Sequence, residues 1–191
     1  MLDQTALDAE RRRLFAANRA GLPMPVAGLV VFTALAIASV FVDYASWMLL
    51  CAYALGAIFP IAMALQAPLK APFFKTKSPL NGVLLPAVIA ANLHWPVTVA
   101  LMLEAPALFP LALGMSTIGI WAVVGWMYAS PVGLMHTLIR VGGVTALFLL
   151  LPDTENQATA ISAFVALVYA ISIAGFVIEL NARTKTGSAP A

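Results

Sequence analysis

The stretch ATAISAFVALVYAISIAGFVIEL, from Ala158 to Leu180, carries a single charge, Glu179, and carries it near its end. A run this long and this apolar exceeds the roughly 20 residues a helix needs to cross a bilayer. Five more runs of the same kind precede it, at 23–42, 46–65, 82–103, 107–128 and 133–151. Even the shortest run reaches roughly 28 Å at 1.5 Å per residue, close to a hydrocarbon thickness of about 30 Å. An even number of crossings returns both ends of the chain to one side. The expected fold is all-α: a polytopic membrane protein built as a bundle of six transmembrane helices.

Composition agrees with this reading. Of 191 residues, 62% are apolar and 9% charged, where a soluble globular domain carries about 25% charged residues. A mean hydropathy of +0.96 spreads the apolar excess over the whole chain. A soluble fold is excluded, and the lipid bilayer is the first partner. Thirteen prolines and twelve glycines fit helices in lipid, which tolerate both residues. The one cysteine, Cys51, has no partner for an internal disulfide. The first apolar run is longer than the roughly 7–15 residues of a signal-peptide core, so it is expected to stay as a helix.

Charge placement orients the bundle. Arg11, Arg12, Arg13 and Arg19 precede the first run, Lys70, Lys75 and Lys77 lie between the second and third, and Arg183 and Lys185 follow the sixth. The opposite connections hold Asp43, Glu104, Asp153 and Glu155 and no basic residue. The positive-inside rule then places both termini in the cytoplasm, with short outer loops. Residues 1–22 form a cytoplasmic segment, in which Leu7, Leu14 and Phe15 suggest an interfacial helix. Residues 23–180 form the bundle, and residues 181–191 are expected to be a disordered tail. Tyr44 and Trp47 at one boundary, and Phe73, Phe74, Trp126 and Tyr128 at the other, read as aromatic belts.

In lipid, helices associate through small residues that let backbones approach. Ala158, Ser162, Ala166, Ala170 and Ala174 recur every fourth residue on the sixth helix and predict a packing stripe, against a helix of the same chain or of a second copy in a homo-oligomer. Gly114, Gly119, Gly125, Gly142 and Gly143 allow similar contact on the fourth and fifth helices. Pro60, Pro86, Pro96 and Pro110 are expected to kink or interrupt three helices.

The chemistry-bearing residues are few. His136 and Arg140 are four apart, hence on one face of the fifth helix. A cation at mid-membrane costs about 2.5–3.5 kcal/mol or more, so Arg140 needs an explanation. It can line a cavity, pair with Glu179, or snorkel to the headgroups from a depth of about 10 Å. His94 and Asn92 on the third helix lie at a similar depth, and Thr117 and Ser116 on the fourth complete a polar layer. Trp95, Trp121 and Tyr169 lie deeper than the belts, and a buried indole or phenol usually finds a polar partner. All eight carboxylates lie outside mid-membrane positions, which disfavours carboxylate-based ion coupling. No metal set, cofactor motif, nucleophile–base pair or nucleic-acid signature is present, so no enzyme activity is expected.

Three short motifs carry a resemblance: Arg19-Ala20-Gly21-Leu22-Pro23, Ser78-Pro79-Leu80-Asn81 and Gly125-Trp126-Met127-Tyr128-Ala129-Ser130. In these, and in length and order, the chain resembles a family of small uncharacterised six-helix bacterial inner-membrane proteins. The resemblance implies topology and a bacterial origin and transfers no site. His94 departs from the family pattern, where a glutamine is commoner. The leading expectation is binding or transport of a small solute, an anion in the sharpest version, at an inward-facing layer of Arg140, His136, His94, Asn92 and Thr117. The alternative is a non-catalytic subunit or scaffold acting through helix packing.

Overall fold

The computed structural model describes residues 3–72 and 75–185, so Met1, Leu2, Phe73, Phe74 and residues 186–191 lie outside it. Among the described residues the chain is all-helical, without strands. The helices are α1 (Gln4–Ala17), α2 (Pro23–Ala38), α3 (Tyr44–Leu65), α4 (Asn81–Asn92), α5 (Trp95–Glu104), α6 (Phe109–Met115), α7 (Ile118–Met127), α8 (Pro131–Leu150) and α9 (Thr154–Lys185). Two pairs run on from each other, α4 with α5 and α6 with α7, giving six helical spans long and apolar enough to cross a membrane. Such a set is what a multi-pass membrane protein carries.

Local chemistry explains the ends. Asp43 Oδ1 accepts from the Ser46 amide at 2.9 Å and starts α3. Ser130 Oγ accepts from the Val132 amide at 3.3 Å, ahead of Pro131 in the first turn of α8. Asp153 Oδ1 accepts from the Asn156 amide at 2.7 Å and starts α9. Each side chain satisfies an amide the first helical turn leaves open. α9 runs on to Lys185, so residues 181–185 continue the helix.

The prolines act unequally. α3 and α4 continue through Pro60 and Pro86. Pro96 stands just after the α4/α5 break, where it lacks the N–H that would bond the Asn92 carbonyl. Pro110 falls in the first turn of α6, a position that tolerates it. The break between α6 and α7 has no proline: Thr117 takes a left-handed backbone (φ 58°) after an extended Ser116.

α2 packs along α9 and α3, α8 packs on α7 and α9, and α6 wedges onto α8 and α9. The α4–α5 span is peripheral and leans mainly on α7 and α6. Close approach depends on glycines that a Cβ would block: at Gly28 it would meet the Tyr169 ring at 2.4 Å, at Gly133 the Trp121 carbonyl at 2.2 Å, and at Gly143 the Phe164 ring at 2.0 Å. Gly119 and Gly142, read as packing glycines, face open space.

On α9, Ala158, Ser162 and Ala166 are buried, Ala170 is half-buried and Ala174 is exposed. A step of four residues on a helix of 3.6 per turn drifts about 40° each time, so the stripe winds away from α2. The buried face passes instead to Tyr169, Ser172 and Phe176.

The basic groups gather at one end. α1 tucks Leu14 and Phe15 wholly inside the bundle. Arg11 Nε donates to the Trp126 carbonyl at 2.6 Å, Arg13 to that of Lys77 at 2.8 Å, and Arg19 to that of Leu69 at 3.1 Å. Arg183 donates to the Ala129 carbonyl at 2.7 Å and covers the Phe15 ring at 4.1 Å. The N-terminal helix and the turn after it therefore close over this end, their arginines bonded to carbonyls of α7 and of the connection between α3 and α4.

Candidate functional site

Arg140 and His136 lie one turn apart on α8, and both side chains are fully buried. The break before Thr117 frees carbonyls at the end of α6. Arg140 Nε donates to the Gly114 carbonyl at 2.7 Å, Nη2 to that of Ser116 at 3.1 Å, and Nη1 to the Tyr169 hydroxyl at 3.4 Å. The guanidinium carbon lies 5.2 Å from the centre of the Phe32 ring and 5.6 Å from that of Tyr169. No carboxylate pairs with it among the described residues.

Carbonyls at a helix C-terminus carry a partial negative charge, and aromatic faces attract cations. Two charge-assisted bonds of about 1.5–3 kcal/mol each offset the burial of the cation. Neither pairing with Glu179 nor snorkelling is observed. Glu179 accepts instead from Arg183 and from the Ser130 hydroxyl, each at 2.5 Å. Arg140 is the clasp of a broken helix.

That clasp holds an unfavourable conformation in place. A β-branched residue in the left-handed region costs of order 1–3 kcal/mol and persists only where its surroundings over-determine it. The Ser116 hydroxyl donates to the Leu113 carbonyl at 2.7 Å, so Ser116, directly before Thr117, is anchored to the end of α6. Ser116 thus contributes its carbonyl to Arg140 and spends its hydroxyl within its own helix.

His136 has a defined tautomer. Ser172 Oγ donates to the Val168 carbonyl at 2.8 Å, so it accepts from His136 Nδ1, also at 2.8 Å. Nε2 then carries the lone pair and has no partner among the described residues. The ring stacks on Trp121 at 4.3 Å and meets the edge of Tyr169 at 5.0 Å.

Trp121 and Tyr169 form the other side of this cluster, where a cavity of about 570 Å3 opens between α3, α4 and α7. Its walls are mainly apolar, including Leu55, Ile58 and Val88, with Asn92 and Thr117 as polar points. Asn92 Nδ2 donates to the Val88 carbonyl at 2.7 Å, leaving its carbonyl oxygen available. Thr117 makes no capping bond with its hydroxyl. Ala20, Gly21, Asn81 and Tyr128 bound the cavity at the basic end of the molecule.

The expected single polar layer is thus two places. Arg140 and His136 are packed in the core, whereas Asn92 and Thr117 line the cavity, with Trp121 and Tyr169 between the pairs. His94 belongs to neither; at the α4/α5 break its Nδ1 bonds the Ala91 carbonyl and its ring stacks on Trp95 at 5.7 Å. The sequence reading marked Trp121 and Tyr169 only as deep aromatics in need of partners. It missed Phe32 and Ser172; spacing places Ser172 on the same face of α9 as Tyr169 and was the signal available.

A family of unknown function, DUF7010, matches residues 7–179. The chain belongs to that family. The match covers most of α1 and nearly all of the helical bundle, in keeping with the resemblance to an uncharacterised family carried by the short motifs. No curated protein and no solved structure matches the chain.

Proposed function

We propose that this is a multi-pass protein of the bacterial inner membrane, with both termini cytoplasmic, that binds or moves a small solute in the cavity between α3, α4 and α7. The observation that carries the reading is the cavity itself: about 570 Å3, apolar over most of its wall, with Asn92 and Thr117 among its few polar lining residues. Small-molecule sites have this character, at about 300–1,000 Å3 with a few placed polar groups. The anionic version has less support, because the Arg140 donors are spent on Gly114, Ser116 and Tyr169. The role is binding or passage, without bond-making chemistry.

A scaffold acting through the α9 stripe has less support too, since Ala158, Ser162 and Ala166 are buried within the chain. Membrane orientation is supported by the gathering of arginines at one end. It is tested by impermeant labelling of single-cysteine variants in a Cys51→Ala background. Thr5→Cys and Thr184→Cys should be protected in intact cells and Asn156→Cys labelled; the reverse pattern defeats the orientation.

Binding is tested by thermal stabilisation of the purified protein against small apolar and amphipathic compounds. A ligand at 100 times its Kd adds about 2.7 kcal/mol. Ala91→Phe, which fills the cavity, should remove the stabilisation. Hits that stabilise this variant as well as the wild type would dispose of the cavity as the site.

A further inference from the structure

The shape and setting of the cavity narrow the class of its occupant, and the inference rests on the cavity being a binding site. Among the described residues, α4 leans on α7 while α3 leans on α2, so α3 and α4 face each other across the cavity rather than packing together. Leu85 and Val88 line it from α4 and are 65% and 36% exposed, so this wall is open rather than sealed. With α3 and α4 not packed on each other, the opening lies between them.

The two ends differ. At the end bounded by Ala20, Gly21, Asn81 and Tyr128, the neighbouring chain is cationic: Arg19 precedes Ala20, and the segment from Lys70 to Lys77 contains three lysines and no carboxylate. Asn81 Nδ2 donates back to the Thr76 carbonyl at 2.8 Å, tying the cavity rim to that segment. From this end the wall runs inward over Ile58, Leu84 and Val88 to Trp121. An apolar slot open to the side with cations at one end fits an amphiphile better than a freely soluble anion, because the chain is recognised by burial and the head by charge.

We propose that the cavity takes an acyl chain of an anionic lipid, admitted between α3 and α4, with the headgroup at the Ala20–Asn81 end beside Arg19 and the lysines that flank Thr76, Lys75 and Lys77. Trp121 reports on this directly. It is 6% exposed and lines the cavity, whereas Trp126 is 45% exposed on the surface. Bromine on a lipid chain quenches indole fluorescence only at close range, so bulk lipid quenches Trp126 and a chain in the cavity quenches Trp121.

The experiment places the protein in nanodiscs containing phosphatidylglycerol or phosphatidylcholine brominated along one chain, and subtracts the signal of Trp121→Phe from that of the wild type. The expected result is strong quenching of the Trp121 component by the brominated anionic lipid, weaker quenching by the zwitterionic one, and loss of both in Ala91→Phe. Val88→Phe, on the more exposed part of the wall, serves as a second filler should Ala91→Phe unfold. Equal quenching by the two lipids overturns the headgroup assignment. An unquenched Trp121 overturns the lipid assignment, and if soluble compounds still stabilise the protein through the cavity, the proposed function survives it. Failure of both measurements removes both.

Discussion

Arg140 Nε donates to the carbonyl of Gly114 at 2.7 Å, across a separation of 26 residues. The bond joins α8 to the end of α6 where the fourth span breaks, and it ties the one cation within the bundle core to the one break without a proline. Burial of Arg140 and the interruption before Thr117 are thus a single feature. The carbonyls need a donor because the helix stops, and the guanidinium is tolerated because carbonyls are free.

Removing the clasp should be costly. Arg140→Ala leaves the Gly114 and Ser116 carbonyls without their donor in an apolar interior, and we expect a loss of about 3 kcal/mol. Arg140→Lys should recover only part of it, since an ammonium cannot present the planar fork that reaches both carbonyls. Thermal unfolding in detergent measures both. Full stability in Arg140→Ala would show that the bonds contribute nothing net.

Backbone strain at Thr117 predicts an inverted residue preference. Within a regular helix alanine is more stabilising than glycine by about 1 kcal/mol. With φ at 58°, Thr117→Gly should instead be more stable than Thr117→Ala by about 1 kcal/mol. The ordinary helical ranking, observed in equilibrium unfolding, would mean that the fourth span is continuous.

Neighbouring glycines should respond in opposite ways. Gly143→Ala places a Cβ 2.0 Å from the Phe164 ring and should cost about 1–3 kcal/mol through overpacking. Gly142→Ala meets nothing within 4 Å and should be neutral or stabilising by up to about 1 kcal/mol. Comparing melting temperatures decides the matter; similar values for the two would place α8 in a different rotation.

Acid should act on the helix caps. The Asn156 backbone amide holds the Asp153 carboxyl below its ordinary value, and the Ser46 backbone amide does the same for Asp43. A group whose folded value is depressed contributes stability above its unfolded value of about 3.9 and loses it as pH falls through the folded one. Asp153→Asn and Asp43→Asn retain a capping oxygen, so near pH 7 they should melt close to the wild type. Below about pH 4 they should lose less of their melting temperature than the wild type does. Parallel curves down to acid would remove the caps as the titrating groups.

Much of the fold was legible because hydrocarbon thickness is a ruler. The apolar run 46–65 lies within α3, and the run 133–151 lies within α8 but for Leu151, its extended last residue. The site was legible only in part. His136 and Arg140, four apart, share a buried face of α8, whereas Asn92 and Thr117 face a cavity on the far side of Trp121 and Tyr169. Depth along a helix axis places a residue in a layer without saying which way it turns. The break at Thr117 has no local signature, since Ser116-Thr117 lacks proline and an apolar run shows no period when both faces are apolar.

Length, apolarity and the distribution of arginine and lysine alone determined that this chain forms six long apolar helical spans with every basic residue but Arg140 outside the apolar runs, because these properties depend on each segment separately. Only the tertiary structure decided that Arg140 clasps α6, that Tyr169 lies over Gly28, and that a cavity remains beside α7. Those outcomes depend on how helices distant in sequence rotate and approach one another, which in lipid is settled by close contacts at single glycines and by where freed carbonyls find donors.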